Sequence, residues 1–344
     1  MSSNEKAHRT LSCGLVSLAL TLMVPLAAGA SPQTSDEAPD IEAAASTATP
    51  SPASENGYDT ITYTSTFTTK TVDINHTLKR GYKWYLLDLF GRQASASGVK
   101  LNSDGSLSLL GDNTGAAGQL ASMVPYRGTN SYVGTAFGGG FYMQTVFNFN
   151  YADVKKTHPT GAVHVTTPAF WSLAAESVGF SGTDQWPGQA KGYQHNVEFD
   201  FFEADYWTTQ NAYGMGLHDW WGIPGKTCSP GLCGLGFLNP SGERVVPKGT
   251  NFGAYHTYGT LWVPATAKTK GFTASYFDGA LIGQNTHTWT EYTNQAPTPV
   301  GKSWAFGRLD QQHMFFIIGS GAGQPFNVKS VTVWQKNASK NLVN

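Results

Sequence analysis

Three carboxylates stand within one short aromatic stretch, VEFDFFEADYW, which begins at residue 197. The stretch has the composition of a β-strand, and Glu198 and Asp200, two residues apart, would share one face of it. Glu203 lies three residues beyond Asp200, which in a regular strand puts it on the opposite face. One extra residue, a β-bulge at Phe201 or Phe202, would return Glu203 to the face of the other two acids. We therefore predict an irregular strand with three carboxylates on one face.

Carboxyl groups arranged in this way suit the cleavage of glycosidic bonds. Retaining glycosidases use two carboxyl groups about 5–5.5 Å apart, one as the nucleophile at the anomeric carbon and the other as acid and then base. Glu198 and Glu203 would start about 13 Å apart along a bulged strand, a span that side chains leaning toward each other shorten. Asp200 between them disfavours a further negative charge, which helps to keep an acid protonated near the working pH.

Two other interpretations of the acids are an exposed acidic strand face and a metal site. The metal hypothesis would use His195, Glu198, Asp200, Glu203 and Asp205. Carboxylates along one strand lack the wrapping loop that a hard cation such as Ca²⁺ requires. We therefore predict no metal in this cluster and no required cofactor. A structural calcium ion elsewhere in the domain stays compatible with the sequence.

The elements that must position these acids are β-strands. Runs such as TITYTSTFTT, FYMQTVFNFN and SVTVW are rich in β-branched and aromatic residues with a period of two, and turn sequences such as NSDGS, FDGA and GSGAGQP separate them. The sequence has no convincing amphipathic helix and no evident short repeat. We predict one all-β domain over residues 58–338, a β-sandwich or jelly roll of two curved antiparallel sheets. A groove on the concave face of such a sheet suits a long polymer.

The ends of the chain differ in composition from this domain. An apolar run, LVSLALTLMVPLAAGA, follows Lys6 and Arg9 and ends in small residues, which indicates a signal peptide over residues 1–30. A membrane anchor is the alternative, but the run is short and is interrupted by Pro25. Residues 31–57 are predicted to be a disordered linker rich in Ser, Ala, Thr and Pro, and residues 339–344 a short tail. The protein is expected in an extracellular or periplasmic space, free of the membrane after cleavage.

Two cysteines remain after removal of the signal peptide. They are Cys228 and Cys233, in the segment CSPGLC. An even number of cysteines in a secreted chain suggests a disulfide. The loop closed by this bond would be very short, so the bond would fix local geometry more than it stabilises the fold.

The charge balance limits the class of partner. The 344 residues carry a formal net charge of -1 at pH 7, with 13 % charged and 13 % aromatic residues. Nucleic acids and anionic membrane surfaces require a basic footprint, so neither is expected as a partner. An uncharged polysaccharide fits this balance, and we expect the protein to act as a monomer.

The acid motif and its flanking segments resemble the glycoside hydrolase family 16 superfamily. Glu198-Phe-Asp200-Phe-Phe-Glu203 is similar to the bulged E-x-D-x-x-E signature of its laminarinase-like branch. Segments similar to other strands of the family follow one another over about residues 130–336, namely FGGGFYMQTVFNF, PAFWSL, GMGLHDWWG, AYHTYGTLW, ASYFDGALIG and FNVKSVTVWQ. The resemblance implies a concanavalin A-like lectin/glucanase fold.

Carried over by position, the resemblance also implies roles for residues. Glu198 would be the nucleophile, Glu203 the general acid/base and Asp200 the assisting acid. The substrate-binding candidates are Trp171, Trp186, Trp207, His218 and His256. Aromatic rings bind sugars by covering the apolar face of the pyranose. Packing within the fold is the alternative role for Trp186, Trp207, His218 and His256.

Several functions are compatible with this pattern. The first hypothesis is a retaining endo-β-glycanase acting on β-1,3- or mixed-linkage β-glucan, and the second substrate is a galactan of the agarose or carrageenan type. A transglycosylase would use the same acids and differ in how it excludes water. A non-catalytic carbohydrate-binding protein is the remaining alternative, which the presence of all three acids disfavours.

Overall fold

Two large antiparallel sheets dominate the computed structural model, which describes residues 48–89, 92–111, 118–126, 131–150, 168–178, 194–204, 211–222, 235–236, 242–291, 306–319 and 325–344. Residues Ala45–Asn344 belong to one compact unit. The described strands in chain order are β1 (Thr60–Ser65), β2 (Val72–Asp73), β3 (Trp84–Leu86), β4 (Asp88–Leu89), β5 (Arg92–Gln93), β6 (Val99–Leu101), β7 (Leu107–Leu109), β8 (Gln119–Ala121), β9 (Met123–Tyr126), β10 (Ser131–Ala136) and β11 (Phe141–Phe149).

The second half of the chain carries the strands that concern the acids. They are β12 (Ala169–Ala174), β13 (Gln194–Glu203), β14 (Ala212–Gly222), β15 (Leu235–Gly236), β16 (Gly242–Val245), β17 (His256–Val263), β18 (Gly271–Phe277), β19 (Ala280–Trp289), β20 (Met314–Gly319), β21 (Phe326–Gln335) and β22 (Leu342–Val343). The described helical segments are α1 (Ser51–Ser54) and 3₁₀ segments at Ala96–Gly98, Ala175–Val178, Phe306–Gln311 and Ala338–Lys340.

The strands form a sandwich of two layers. Sheet A has the order β19-β18-β17-β11-β21-β7-β6, with β1 also paired to β21. Sheet B has the order β15-β14-β13-β12-β20-β8-β3-β2, with β16 also paired to β14. A small sheet, β22-β10-β9, completes the described pairings together with the β4-β5 pair. The predicted all-β jelly-roll sandwich is confirmed.

The core between the sheets is rich in aromatic residues, and β11 contributes several of them. Its alternate residues are buried against sheet B, and they are Phe141, Met143, Thr145, Phe147 and Phe149. This is the face that the period-two pattern predicts. Each fully buried Phe side chain contributes about 1.5–3 kcal/mol of transfer free energy. Tyr142 points to the other face and is also buried, because a second apolar cluster covers the outside of sheet A.

Ordered structure extends beyond both predicted domain boundaries, residues 58 and 338. The end of the predicted linker folds as α1, where Ala53 is fully buried beside Tyr58 and Trp334 in the outer cluster. The predicted tail forms β22, which pairs with β10. Composition is a poor guide here, since a few small apolar residues suffice to dock a short segment. The predicted signal peptide lies outside the described residues, and no helix within them is long and apolar enough to cross a membrane.

Asp310 joins the 3₁₀ segment before β20 to the edge of sheet A. Its carboxylate accepts hydrogen bonds from the indole N–H of Trp262 at 3.0 Å, the indole N–H of Trp289 at 2.7 Å and the backbone N–H of Ala265 at 2.9 Å. Burial raises the pKa of Asp310 to about 6, the nearby charge of Glu291 adds to the increase, and the three donors oppose it. The three hydrogen bonds stabilise the charged carboxylate, but by less than burial destabilises it.

Candidate functional site

The register of β13 contains the predicted bulge. Asp200 lies opposite Gly216 of β14, and Glu203 lies opposite Gly214. Three residue steps on β13 therefore match two steps on β14, so β13 carries one extra residue between the two acids. The pairing of β13 with β12 shifts at the same place. The bulge predicted from the spacing of the acids is confirmed.

Two consecutive aromatic residues occupy the bulge, and both side chains enter the core. The ring of Phe201 lies 5.3 Å from that of Phe316, and the ring of Phe202 lies 4.6 Å from that of Phe147. In a regular strand one of two neighbours would face away from the core. The burial of both rings locally fixes the strand in its bulged form and turns Glu203 back to the side of Glu198.

The cross-strand partners show that the three acids share one face of sheet B. On β12 they pair with Leu173, Trp171 and Ala169, and on β14 with His218, Gly216 and Gly214. Within each neighbouring strand these partners are two residues apart, which places them on the same face. Because Phe199, Phe201 and Phe202 face the core and sheet A, the acids face away from sheet A. On the β14 side, the two glycines place no side chain directly opposite Asp200 and Glu203.

His218 is held against the central acid. Its Nε2 atom lies 2.6 Å from Asp200 Oδ2, and the two side chains are 16 % and 5 % exposed. His218 is also the direct cross-strand partner of Glu198, so Glu198, Asp200 and His218 each place one ligand-type atom within 4.8 Å of the others. Adjacent hydrogen-bonded strands thus bring two acids and an imidazole together, with Asp200 almost enclosed and the other two partly exposed.

Two buried polar side chains support the strand that carries the acids. Ser172 Oγ donates to the carbonyl of Phe199 at 3.0 Å, and Gln312 Oε1 accepts the backbone N–H of Val197 at 3.3 Å. Gln312 comes from the segment after Asp310 and is 2 % exposed. Neither residue could be identified from the sequence, since neither stands in a motif and both contacts join segments distant in the chain.

The structure brings some predicted substrate-binding residues to the acids and keeps one away. Trp171 lies directly across from Asp200 and is partly exposed while packing against the core. His256 instead lies on β17 in sheet A, where its Nδ1 is 2.8 Å from Asp278 Oδ2 and its Nε2 is 3.0 Å from the carbonyl oxygen of Asn251. Both ring nitrogens therefore hold local contacts in the other sheet. The structure thus places His256 away from the three acids, and its role in substrate binding stays a prediction.

Four further predicted residues fall outside the part of the chain that the structure describes. They are Trp186 and Trp207, predicted to bind substrate, and Cys228 and Cys233, predicted to form a disulfide. Asp205, one of the residues considered as metal ligands, also lies outside the described residues. Among the described side chains, an imidazole that lies near the acids is that of His218, from the neighbouring strand.

Comparison with known proteins gives matches among solved structures. No family model and no curated protein matches the sequence. The chain is similar to an endo-1,3-beta-glucanase from Streptomyces sioyaensis, at 18% identity and a TM-score of 0.42 over 74% of this chain and 82% of that chain. It is also similar to the kappa-carrageenase from Pseudoalteromonas carrageenovora, at 14% identity and a TM-score of 0.39 over 70% and 83%. A third similar structure is the Emp46p carbohydrate recognition domain, at 10% identity and a TM-score of 0.33 over 74% and 89%.

Proposed function

We propose that this protein is a retaining endo-β-glycanase that hydrolyses a polysaccharide by double displacement. The observation that carries the proposal is the bulge between Asp200 and Glu203, which aligns the acids with Glu198 on one face of sheet B. A strand that served only to build the sandwich would gain nothing from a bulge that places three carboxylates side by side. Three carboxylates along one strand face disfavour a further negative charge, which helps to keep an acid catalyst protonated.

In the proposed mechanism each acid has one role. Glu198 attacks the anomeric carbon while Glu203 gives its proton to the leaving glycosidic oxygen, so one C–O bond forms as the other breaks. Glu203, now ionised, takes a proton from water, and the hydroxide equivalent displaces Glu198 with a second inversion. Asp200 stands between them, and its contact with His218 holds the carboxylate in place. Trp171 provides an aromatic surface next to Asp200 for a sugar ring.

The substrate is proposed to be a neutral linear glucan with β-1,3 or mixed linkages. The near-neutral charge of the chain and the acid motif support this choice, and the glycines opposite Asp200 and Glu203 leave room on the acid face for a polymer chain. A galactan of the agarose or carrageenan type is the second substrate, since the bulged form of the motif is shared with those activities. The apolar N-terminal run supports secretion, so the polymer would be met outside the cytoplasm.

The test is a panel of polysaccharides assayed by the release of reducing ends. Glu198→Gln and Glu203→Gln should each lower the rate at least about 10²-fold, because each removes an essential charge or proton. Glu291→Gln is the matched control, since Glu291 is an exposed carboxylate outside the acid face and its loss should leave the rate unchanged. Full activity of both site variants on every cleaved polymer would disprove the catalytic roles.

The same panel separates the mechanism from its alternatives. NMR of the first product should show the anomeric configuration of the substrate, and inversion would contradict a double displacement. Longer products formed when an oligosaccharide acceptor is added would indicate a transglycosylase. Binding to a polymer without any product from it would favour a carbohydrate-binding protein.

A further inference from the structure

The side chains of Glu198, Asp200 and His218 form a compact set of metal-type donors. Glu198 and His218 are cross-strand partners, and Asp200 follows two residues later on the same face. One ligand-type atom from each lies within 4.8 Å of the others. Since all three are anchored on adjacent hydrogen-bonded strands, their backbone positions are fixed relative to one another.

The donor chemistry selects a class of ion. One imidazole nitrogen and two carboxylate oxygens are typical ligands for Zn²⁺ and similar divalent transition metals, at bond lengths of about 2.0–2.2 Å. Tetrahedral geometry at such lengths separates ligand atoms by about 3.3 Å. His218 Nε2 and Asp200 Oδ2 are 2.6 Å apart, so the ion would replace the proton of this contact, which is released to solvent, as the two atoms move apart by about 0.7 Å. Ca²⁺ takes 6–8 oxygen ligands, about twice what three side chains with a nitrogen among them offer.

We propose that Glu198, Asp200 and His218 bind one divalent transition-metal ion, and that the bound ion blocks catalysis. The blocking effect rests on the proposed function, because it requires Glu198 to be the nucleophile. A carboxylate that coordinates a metal ion is no longer available to attack carbon, and the ion fills the position of the substrate ring next to Asp200. The binding itself needs only the three donors.

Other histidine–acid contacts among the described residues provide internal controls. His313 Nδ1 lies 2.6 Å from Glu176 Oε1, and His256 Nδ1 lies 2.8 Å from Asp278 Oδ2. Each of these pairs has one acid, and in the described part of the chain only the set around Asp200 brings three such donors together. A histidine–carboxylate contact alone should therefore not bind the metal.

The experiment is a calorimetric titration of the purified protein with zinc chloride in the absence of polysaccharide. We expect saturation at one ion per chain, with His218→Gln and Glu198→Gln each weakening the affinity at least about tenfold. His313→Gln should bind zinc as the wild type does, and calcium chloride at the same concentration should not displace zinc. Circular dichroism establishes that each variant is folded, and if His218→Gln does not fold, Glu198→Gln decides the matter.

The result that would overturn the proposal is the absence of saturable zinc binding, or an affinity unchanged in both site variants. Because binding is measured without substrate, this failure leaves the proposed glycanase activity intact. Conversely, a protein that cleaves no polymer in the panel still gives a result for zinc. Where a polymer is cleaved, the free zinc concentration that halves the rate should equal the measured dissociation constant when the polymer concentration is well below KM.

Discussion

Asp310 allows a quantitative prediction about stability and pH. Burial raises its pKa from the ordinary value of 3.8 to about 6 in the folded chain, despite donors from Trp262, Trp289 and Ala265. A carboxyl group with a raised pKa binds its proton more tightly in the folded state than in the unfolded state. Its contribution to stability is therefore complete below pH 3.8 and is lost as the pH rises through about 6.

The perturbation is Asp310→Asn, which keeps the size of the side chain and removes its titration. The interval between 3.8 and about 6 corresponds to about 3 kcal/mol, at about 1.36 kcal/mol for each pH unit. The wild type should therefore lose about 3 kcal/mol relative to the variant between about pH 2.5 and about pH 7, with most of the loss between about pH 4 and about pH 6.5. The amide leaves one N–H donor without an acceptor, at a cost of about 1–3 kcal/mol that does not depend on pH.

The assay is guanidinium unfolding of both proteins at several pH values, followed by circular dichroism. The quantity of interest is the difference between the two free energies of unfolding, because contributions of other groups cancel in it. Asp104→Asn is the control with the opposite sign, since hydrogen bonds from Ser106 lower the pKa of Asp104. The contribution of Asp104 is present above its ordinary pKa of 3.8 and is lost as the pH falls through its lowered folded value. A difference between wild type and Asp310→Asn that stays constant within about 0.5 kcal/mol, or that grows in favour of the wild type, would refute the reasoning.

Further predictions concern the site and the fold. His218→Gln removes the partner of Asp200 and should lower kcat on a cleaved polysaccharide about 10²-fold with an unchanged dichroism spectrum; an unchanged kcat would contradict this. Deleting Phe201 removes the bulge, so activity should fall to background and the free energy of unfolding by about 3–5 kcal/mol, and an active deletion variant would be incompatible with the register. His256→Ala should keep kcat/KM within about twofold while lowering stability by about 1 kcal/mol, because its contacts lie in sheet A. Gly140→Ala should destabilise the protein by at least about 1 kcal/mol in denaturant unfolding, since Gly140 has a φ of 82° and an added Cβ would collide with neighbouring side chains.

The bulge could be predicted because two features of the sequence are incompatible with a regular strand. Glu203 has the wrong parity for a strand that otherwise alternates, and Phe201 and Phe202 are both too apolar to face water. One inserted residue resolves both conflicts. The all-β architecture was predictable for a similar reason, since a period of two recurs along most of the domain.

Other features depend on contacts that local sequence does not encode. The hydrogen bond from Trp262 to Asp310 spans 48 residues, and that from Val197 to Gln312 spans 115. His256 was a candidate because of its neighbours in sequence, yet the pairing of β17 with β11 puts it in the other sheet. The role of Ala53 was hidden by composition, because a small residue in a polar, proline-rich segment gives no sign of burial.

The docking of α1 on sheet A has a practical consequence for handling the protein. The outer cluster contains Tyr142, Leu261 and Trp334, and it is closed by Ala53 and Tyr58. A fragment that started at residue 58 would leave this apolar surface open to solvent and to other copies of the fragment. Fragments for expression are therefore better started before residue 48, which keeps the whole of α1. At the other end, a fusion partner is better separated from β22 by a spacer, because β22 already pairs with β10.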